Sequence, residues 1–385
     1  MKHSNSVFHQ LLKQLPRQQF QKVVDRHNGD HRVRSLTCWT QLISLMFAQL
    51  TERKSLRDLE ENFNTNHNHH YHLGVDQVKR SSLSDANNSR SPTIFMETFF
   101  FLLEKVRGNL PKKDASEMVR LIDSTTIDLN LNQFQWASFR STKAGIKLHT
   151  VYDPDAEVPT YFEMTTAKVN DRKAVHKLPI LPGATYVVDR AYNDYGWYYR
   201  LTQQGTHFVG RMKSNAVYEV IENKETNAGH ILKDQVIRLR SVKAKKDCPI
   251  NLRRITIVRE EDDKVLSFIT NDLDRTAQQI ADLYKARWQI ELFFKWIKQN
   301  LEIKRFFGRS ENAVKIQVLT AMIAYLLLRL AQLSTHCKIS LQQIARRVSL
   351  NLTKRCSLFE LFNDPPDKNK VKTHQFQEAL ELDFA

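Results

Sequence analysis

Cysteine is scarce in this sequence, and no two cysteines lie close together. Such spacing fits neither a zinc ribbon nor a disulfide framework, and it is typical of a protein in a reducing cytosol. The cysteines are Cys38, Cys248, Cys337 and Cys356.

Long apolar runs are also missing. The most apolar run, residues 318–328, has eleven residues without a charge, whereas spanning a bilayer takes about 20. We therefore expect a buried core helix there and no membrane partner. The stretch "MKHSNSVFHQLLKQL" has no apolar h-region, so we expect no secretory signal.

Positive charge, in contrast, is abundant. The 385 residues include 58 Lys and Arg against 42 Asp and Glu, which gives a net charge of +16. This excess indicates a polyanionic partner, most simply nucleic acid. Ribosomal, membrane-surface and some structural proteins are equally basic, so charge alone leaves those classes open. The length allows two or three domains.

The periodicity of apolar residues divides the chain into helical and strand-rich parts. Residues 1–110 show helical spacing, for example in "TCWTQLISLMFAQLTE" and "TIFMETFFFLLEKV". Residues 74–91 resemble a helix-turn-helix insertion, or alternatively a capped surface loop. From Met118 to residue 215 the order βββαβαβ predicts an α/β fold with a mixed sheet and helices on its faces. Residues 216–271 add strand patterns, and helices resume at Thr276.

Two aspartates occupy unusual positions on predicted strands. Asp123 interrupts an otherwise apolar strand face, where an ionised carboxylate is costly unless a cation or a hydrogen bond meets it. Asp189 ends the buried strand "ATYVVD", and the carboxyl end of such a strand lies at the ligand-binding edge of an α/β sheet. Each has a structural alternative, since Asp123 could cap a turn, and Asp189 could pair with Arg190 or cap the next helix.

A third carboxylate belongs to an ordered polar stripe on a predicted helix, residues 282–301. At 100° per residue the polar positions fall inside one arc of about 80°. They are Tyr284, Arg287, Glu291, Lys295 and Lys298. Glu291 could simply pair with a neighbouring cation, but Arg before Glu at this spacing is the weaker order for an ion pair. The stripe therefore indicates a ligand-binding face.

Together the three carboxylates fit a divalent-cation site. Asp123, Asp189 and Glu291 offer the oxygen ligands that hard divalent cations prefer. Two such ions about 4 Å apart would stabilise the attacking and leaving oxygens of a phosphodiester displacement. Arg287 and Lys298 would then bind the flanking phosphates, and Tyr284 a sugar, base or phosphate.

These motifs resemble a known family. Tyr284-x2-Arg287-x3-Glu291-x6-Lys298 is similar to the YREK signature of the insertion-sequence-four family of DDE transposases, and "IDST", "GIKLHT", "DRAY" and "FFGRSENAVKIQV" are further matches. The resemblance implies an RNase H-like mixed five-stranded sheet with flanking helices and a β-rich insertion before the last catalytic helix, between all-α N-terminal and C-terminal parts. The implied domains are a helical, DNA-binding domain (1–112), the catalytic core (113–215 and 272–335), the insertion (216–271) and a helical C-terminal segment (336–385).

The family resemblance also implies an activity. Its members perform cut-and-paste transposition with two Mg²⁺ ions, for which Mn²⁺ can substitute. Water and then the freed 3′-hydroxyl are the nucleophiles. The partners would be double-stranded DNA, as element terminal inverted repeats and target, and a second copy of the chain in a synaptic homodimer. A bacterial, cytoplasmic, nucleoid-associated protein is expected. The alternatives are an RNase H-like nuclease without strand transfer and an inactive DNA-binding regulator of transposition.

Other basic residues are candidates for DNA contacts. Arg238 and Arg240 alternate with apolar residues in "KDQVIRLRSVKAKK", which predicts a strand with one cationic face that tracks the DNA backbone. The alternative is a solvated edge strand kept soluble by its charge. Arg190, which follows Asp189, and Lys147 in "GIKLHT" are also expected to contact DNA. The histidines in "NTNHNHHYH" lack regular ligand spacing, so we expect a polar loop there.

Overall fold

The computed structural model describes residues 5–226, 229–259 and 262–363. It divides the chain into two compact units. One comprises residues 110–298, and the other is formed by the segments before and after them. The last part of the predicted helical C-terminal segment, residues 364–385, lies outside the described residues.

The second of these units is helical. Its helices are α1 (Val7–Leu12), α2 (Arg17–Arg26), α3 (Cys38–Leu50), α4 (Leu56–Thr65), α5 (His70–Leu73), α6 (Arg80–Ser89), α7 (Thr93–Gly108), α13 (Glu311–Thr335), α14 (Leu341–Asn351) and α15 (Leu358–Phe362). The histidine-rich stretch was expected to be a polar loop, which is wrong. It forms a 3-10 turn and α5, where the ring of His70 is buried and bonded to the carbonyl of Phe63.

Helix α13 is the core of the helical unit. It packs against α3 and α7, and every residue from 318 to 328 is buried. Among the described residues it is the helix long and apolar enough to cross a membrane, but nearly all of it is buried within the protein. A buried core helix was predicted here and is confirmed. The predicted catalytic core included this segment, whereas α13 belongs to the helical unit; the functional domain boundaries stay predictions.

The unit of residues 110–298 contains the sheet. Its strands are β1 (Val119–Leu129), β2 (Ser138–Arg140), β3 (Lys143–Asp153), β4 (Val158–Thr166), β5 (Thr185–Val188), β6 (His207–Arg211), β7 (Tyr218–Asn223), β8 (Ile231–Leu239), β9 (Asn251–Val258) and β10 (Val265–Thr270). Its helices are α8 (Asp171–Ala174), α9 (Tyr195–Gln203), α10 (Val242–Asp247), α11 (Ala277–Ala286) and α12 (Trp288–Asn300).

Five of these strands form the predicted mixed sheet, in the order β4-β3-β1-β5-β6. The first three pair antiparallel, and β1, β5 and β6 pair parallel. This is the strand order and direction of an RNase H-like core. Strand β5 is buried along its whole length, because strands at the centre of such a sheet are covered on both faces. Behind it, the ring of Tyr198 from α9 stacks on Phe208 of β6 at 4.0 Å.

The β-rich insertion continues the same sheet. Its strands follow β6 in the order β10-β9-β8-β7, all antiparallel, and complete ten strands in the described chain. The strand patterns predicted within residues 216–271 are therefore confirmed. Strand β8 lies between β7 and β9, so the alternative of a solvated edge strand for residues 233–246 is wrong; β7 is the edge strand.

The predicted single helix over residues 282–301 is interrupted at Arg287. Helix α11 ends at Ala286 and α12 begins at Trp288. Neither proline nor glycine causes the interruption. Instead, the chain tightens locally, since the N–H of Arg287 donates to the carbonyl of Tyr284 three residues back. The residues of the polar stripe are thus shared between two consecutive helices and their junction.

Candidate active site at the ends of the parallel strands

The two strand aspartates occupy neighbouring positions. Ile122 of β1 is in register with Val188 of β5, so Asp123 and Asp189, the next residues in each strand direction, are adjacent. Neighbouring strands lie about 4.8 Å apart. The parallel pairing of β1 and β5 therefore places both carboxylates at the same edge of the sheet.

Arg287 connects the helix carboxylate to one of these aspartates. Its Nη1 donates to Oδ2 of Asp123 at 3.1 Å, and its Nη2 donates to Oε1 of Glu291 at 2.5 Å. Tyr284 reaches the other aspartate, since its hydroxyl lies 3.4 Å from Oδ1 of Asp189. The three carboxylates predicted to work together are thus linked through the tyrosine and arginine of the polar stripe.

The electrostatics of this cluster favour an added cation. Burial raises the pKa of the Asp123 carboxyl to about 6. The N–H of Ser124 and the guanidinium of Arg287 oppose this shift, while the negative charges of Asp189 and Glu291 add to it. The side chain of Arg287 is itself only 14% exposed. Its positive charge lies between two carboxylates, where it offsets part of their repulsion.

The donor atoms fit hard divalent cations. All three carboxylates offer oxygen, the ligand that Mg²⁺ and Mn²⁺ prefer, and no soft thiolate is part of the cluster. Within residues 5–226, 229–259 and 262–363, no group of three or more His, Cys, Asp or Glu side chains is arranged as a metal-binding cluster. Arg287 instead bridges Asp123 and Glu291. Metal ligation by the triad stays a prediction.

Lysines of the stripe differ in their surroundings. The ammonium of Lys298 donates to the carbonyl of Thr126 at 2.9 Å, on the strand that carries Asp123. Lys295 is exposed on α12. The stripe therefore directs Tyr284, Arg287 and Lys298 toward the strands, whereas Lys295 extends into solvent.

Three of the remaining basic candidates are exposed. Arg190 is exposed in the 3-10 turn that follows Asp189. Arg238 on β8 and Arg240, the residue after its end, are exposed, and their neighbours Ile237 and Leu239 are buried, as the alternation predicted. Arg238 also bonds Asn251, and Arg240 lies 3.5 Å from Glu219. Their contact with DNA stays a prediction.

Lys147 makes an unexpected contact. Its ammonium lies 3.3 Å from both oxygens of Asp171, a residue not singled out from the sequence. Asp171 also accepts a hydrogen bond from the Ser124 hydroxyl at 2.6 Å. In the sequence, "VNDRKAV" shows only the Asn-Asp start of a short helix, which is what it forms, with Asn170 as the cap. No local pattern points to the long-range contacts of Asp171.

Comparison with known proteins identifies the family of this chain. The family described as the transposase DDE domain matches residues 114–327, more than half of the chain. The chain belongs to the DDE transposase family. The resemblance noted in the sequence is thereby confirmed. Residues 3–76 match a second family, described as a domain of unknown function, DUF4372.

Two relatives of this DDE transposase are also named as transposases. A protein of Sinorhizobium fredii named as a transposase, y4zB, is 41% identical over 254 residues, 65% of this chain and 70% of that protein. A protein of Geobacillus stearothermophilus named as a transposase for insertion sequence element IS5377 is 34% identical over 217 residues, 55% of this chain and 56% of that one. Among solved structures, the piggyBac transposase synaptic complex with hairpin DNA matches 95% of this chain and 82% of that chain, with 11% identity and a TM-score of 0.44.

Proposed function

We propose that the protein catalyses cut-and-paste transposition of an insertion sequence, by cleaving strands at the element ends and transferring them to target DNA. The observation that carries the proposal is the arginine bridge from Asp123 to Glu291, beside Asp189. The signature arginine bonds two of the three sequence-predicted carboxylates, and the charge of Asp189 acts on Asp123. Membership of the DDE transposase family supports the same chemistry.

Asp123, Asp189 and Glu291 would hold two divalent ions, Mg²⁺ or Mn²⁺. Such ions, when bound, lower the pKa of water and neutralise a leaving oxygen. The side chains of this protein then need only position DNA. The fork of Arg287 can bind a phosphate through two N–H groups. Lys298 adds a point charge close to the strand of Asp123, and Tyr284 offers a hydroxyl beside Asp189.

The partners follow from this activity. We infer that the substrates are double-stranded DNA at the terminal inverted repeats and at the target, and that two copies of the chain act together. The N-terminal helical segment, residues 1–112, is the proposed DNA-binding domain, and residues 216–271 the insertion. The net charge of +16 supports a DNA partner. The proposed location is the bacterial cytoplasm, at the nucleoid.

The test uses DNA that carries the inverted repeats flanking the reading frame, with Mg²⁺ and a target plasmid. We expect cleaved ends and joined product from the wild type, and a loss of both in Asp189→Asn by more than about 100-fold, since indirect partners of a metal site are already worth about 10- to 100-fold. Asp128→Asn is the matched control, because Asp128 is exposed on the strand that carries Asp123.

The outcomes separate the alternatives. A nuclease would cut these ends but leave no joined product when a 3′-hydroxyl end and target DNA are supplied. An inactive regulator would bind the ends, and Asp189→Asn would not change its behaviour. Either result contradicts the proposed function.

A further inference from the structure

A second polar cluster lies next to the triad, centred on the carboxylate of Asp171. Its Oδ1 accepts the hydroxyl proton of Ser124 at 2.6 Å, and its two oxygens lie 3.3 Å from the ammonium of Lys147. The Nδ1 of His149 lies 3.4 Å from the same Oδ1, and the Tyr192 hydroxyl 3.5 Å from it. The side chain of Asp171 is 18% exposed, so these groups surround most of it.

Two of these contacts lead directly to the triad aspartates. The backbone N–H of Ser124 donates to Oδ1 of Asp123 at 2.8 Å. On the other side, the backbone N–H of Tyr192 donates to the carbonyl of Asp189 at 3.0 Å. One intermediate residue therefore connects the carboxylate of Asp171 to the side chain of Asp123 and, on the other side, to the backbone of Asp189.

The cluster also ties three separate elements together. Ser124 is on β1, and Lys147 and His149 are on β3, where His149 is the register partner of Ser124. Tyr192 is in the turn after β5. Because neighbouring strand residues point to opposite faces, the Ser124 side chain leaves the sheet on the face opposite to Asp123. Asp171 can therefore hold β1 and β3 in place through these contacts from the face of the sheet opposite to Asp123.

We propose that Asp171 is a positioning residue for the metal-binding carboxylates, acting through Ser124 on Asp123 and through Tyr192 on Asp189. This inference rests on the proposed function, since it concerns the same site. Outer partners that orient metal ligands are typically worth about 10- to 100-fold in metal affinity or activity. Precise placement matters because two cations must share ligands from two strands and a helix.

A purely structural role is the competing explanation. Asp171 would then only neutralise Lys147, as Asp153 neutralises Arg120. That pair is a matched control, because Arg120 and Asp153 lie 2.8 Å apart on β1 and β3, and the Asp153 side chain is 14% exposed. Removing either carboxylate should destabilise the same unit, but only the loss of Asp171 should disturb the triad.

The experiment compares Asp171→Ala, Asp171→Asn and Asp153→Asn in the full-length chain. Three quantities are measured: the thermal unfolding midpoint, the affinity for Mn²⁺ from the EPR signal of the free ion, and the rate of end cleavage as Mg²⁺ is increased. We expect Asp171→Ala to lose about 10- to 100-fold in Mn²⁺ affinity and in cleavage rate at limiting Mg²⁺. Asp171→Asn should recover part of this loss, since its amide oxygen can still accept from Ser124.

Asp153→Asn should unfold at a lower temperature and yet bind Mn²⁺ as the wild type does. Equal Mn²⁺ affinity in Asp171→Ala and Asp153→Asn would overturn the proposal. If Asp171→Ala does not fold, Asp171→Asn and Ser124→Ala test the proposal instead. Both variants should weaken Mn²⁺ binding if Asp171 acts on Asp123 through Ser124. Failure of the proposed function is distinguishable, since the wild type would then produce no joined DNA whatever the Asp171 variants do.

Discussion

The guanidinium of Arg287 donates a hydrogen bond to Asp123 over 3.1 Å, across 164 residues of sequence. The same side chain holds Glu291 one helical turn ahead. An arginine in this position neutralises carboxylates that would otherwise repel one another. It also occupies oxygens that a divalent cation would use, so under the proposed function the arginine and the cation would compete for the same ligands.

This competition predicts an unusual effect of Arg287→Ala. Without Mn²⁺ the variant should unfold at a lower temperature than the wild type, because buried carboxylates lose their partner. With Mn²⁺ its unfolding temperature should rise by more than that of the wild type, since a tenfold gain in affinity adds about 1.4 kcal/mol at saturating metal. Differential scanning fluorimetry with and without Mn²⁺ measures both effects. Arg120→Ala is the matched control, because Arg120 is a buried arginine that pairs with Asp153 and contacts none of the three carboxylates. Equal Mn²⁺ shifts in all three proteins would contradict the prediction.

Lys298 is expected to bind a DNA phosphate. Lys298→Ala should therefore weaken binding to element-end DNA and reduce the slope of log K against log salt concentration by about 0.9, the release expected for one phosphate contact. Fluorescence anisotropy at several salt concentrations measures this slope. Lys113→Ala is the control, because its ammonium pairs with Asp155 at 2.9 Å. An unchanged slope in Lys298→Ala would contradict a phosphate contact by this lysine.

The exposed arginines at the end of β8, Arg238 and Arg240, offer a separate test of the insertion. If this face tracks the DNA backbone, the double variant Arg238→Gln/Arg240→Gln should lower the salt slope by up to about 2. The matched control is Arg259→Gln/Lys264→Gln, which removes two cations that pair with Asp262 at the β9–β10 turn. Equal slopes for the two double variants would remove β8 from the DNA interface.

Sequence patterns predicted those parts of the site that depend on local periodicity. Alternation placed Asp123 within an apolar strand, and the end of a buried run placed Asp189 beside it. The break at Arg287 was not predicted, because no proline or glycine marks it. The contacts of Asp171 with Ser124 were missed for a different reason, since only the folded sheet brings these residues together.

The same distinction holds for the fold. The strands of the insertion were predicted from their alternation, but their joining to the core sheet depends on pairing between β6 and β10. Residues of these strands lie far apart in sequence, with Val209 opposite Thr270. No local sequence pattern specifies such a strand partner, whereas the residues of a tight turn predict the pairing of the two strands of a β-hairpin. The sequence therefore predicted the elements of the insertion without their place in one sheet.

The acid sensitivity of the protein should depend in part on Asp171. Burial alone would raise the pKa of this carboxyl, but hydrogen bonds from His149 and Ser124 and the charge of Lys147 lower it well below the ordinary value. A lowered pKa in the folded protein stabilises the fold above the unfolded-state pKa of about 3.9, and this stabilisation is lost as pH falls through the folded value. Asp171→Asn removes the charge at every pH.

We therefore expect the difference in unfolding temperature between the wild type and Asp171→Asn to be largest and constant from pH 7 to about pH 5, and to shrink as the pH approaches 3. Thermal unfolding followed by circular dichroism over this range measures the difference. Asp128→Asn controls for the loss of an exposed carboxylate on the neighbouring strand. A difference for Asp171→Asn that grows toward low pH would show that Asp171 is held protonated in the fold, because a raised pKa stabilises a protein in acid.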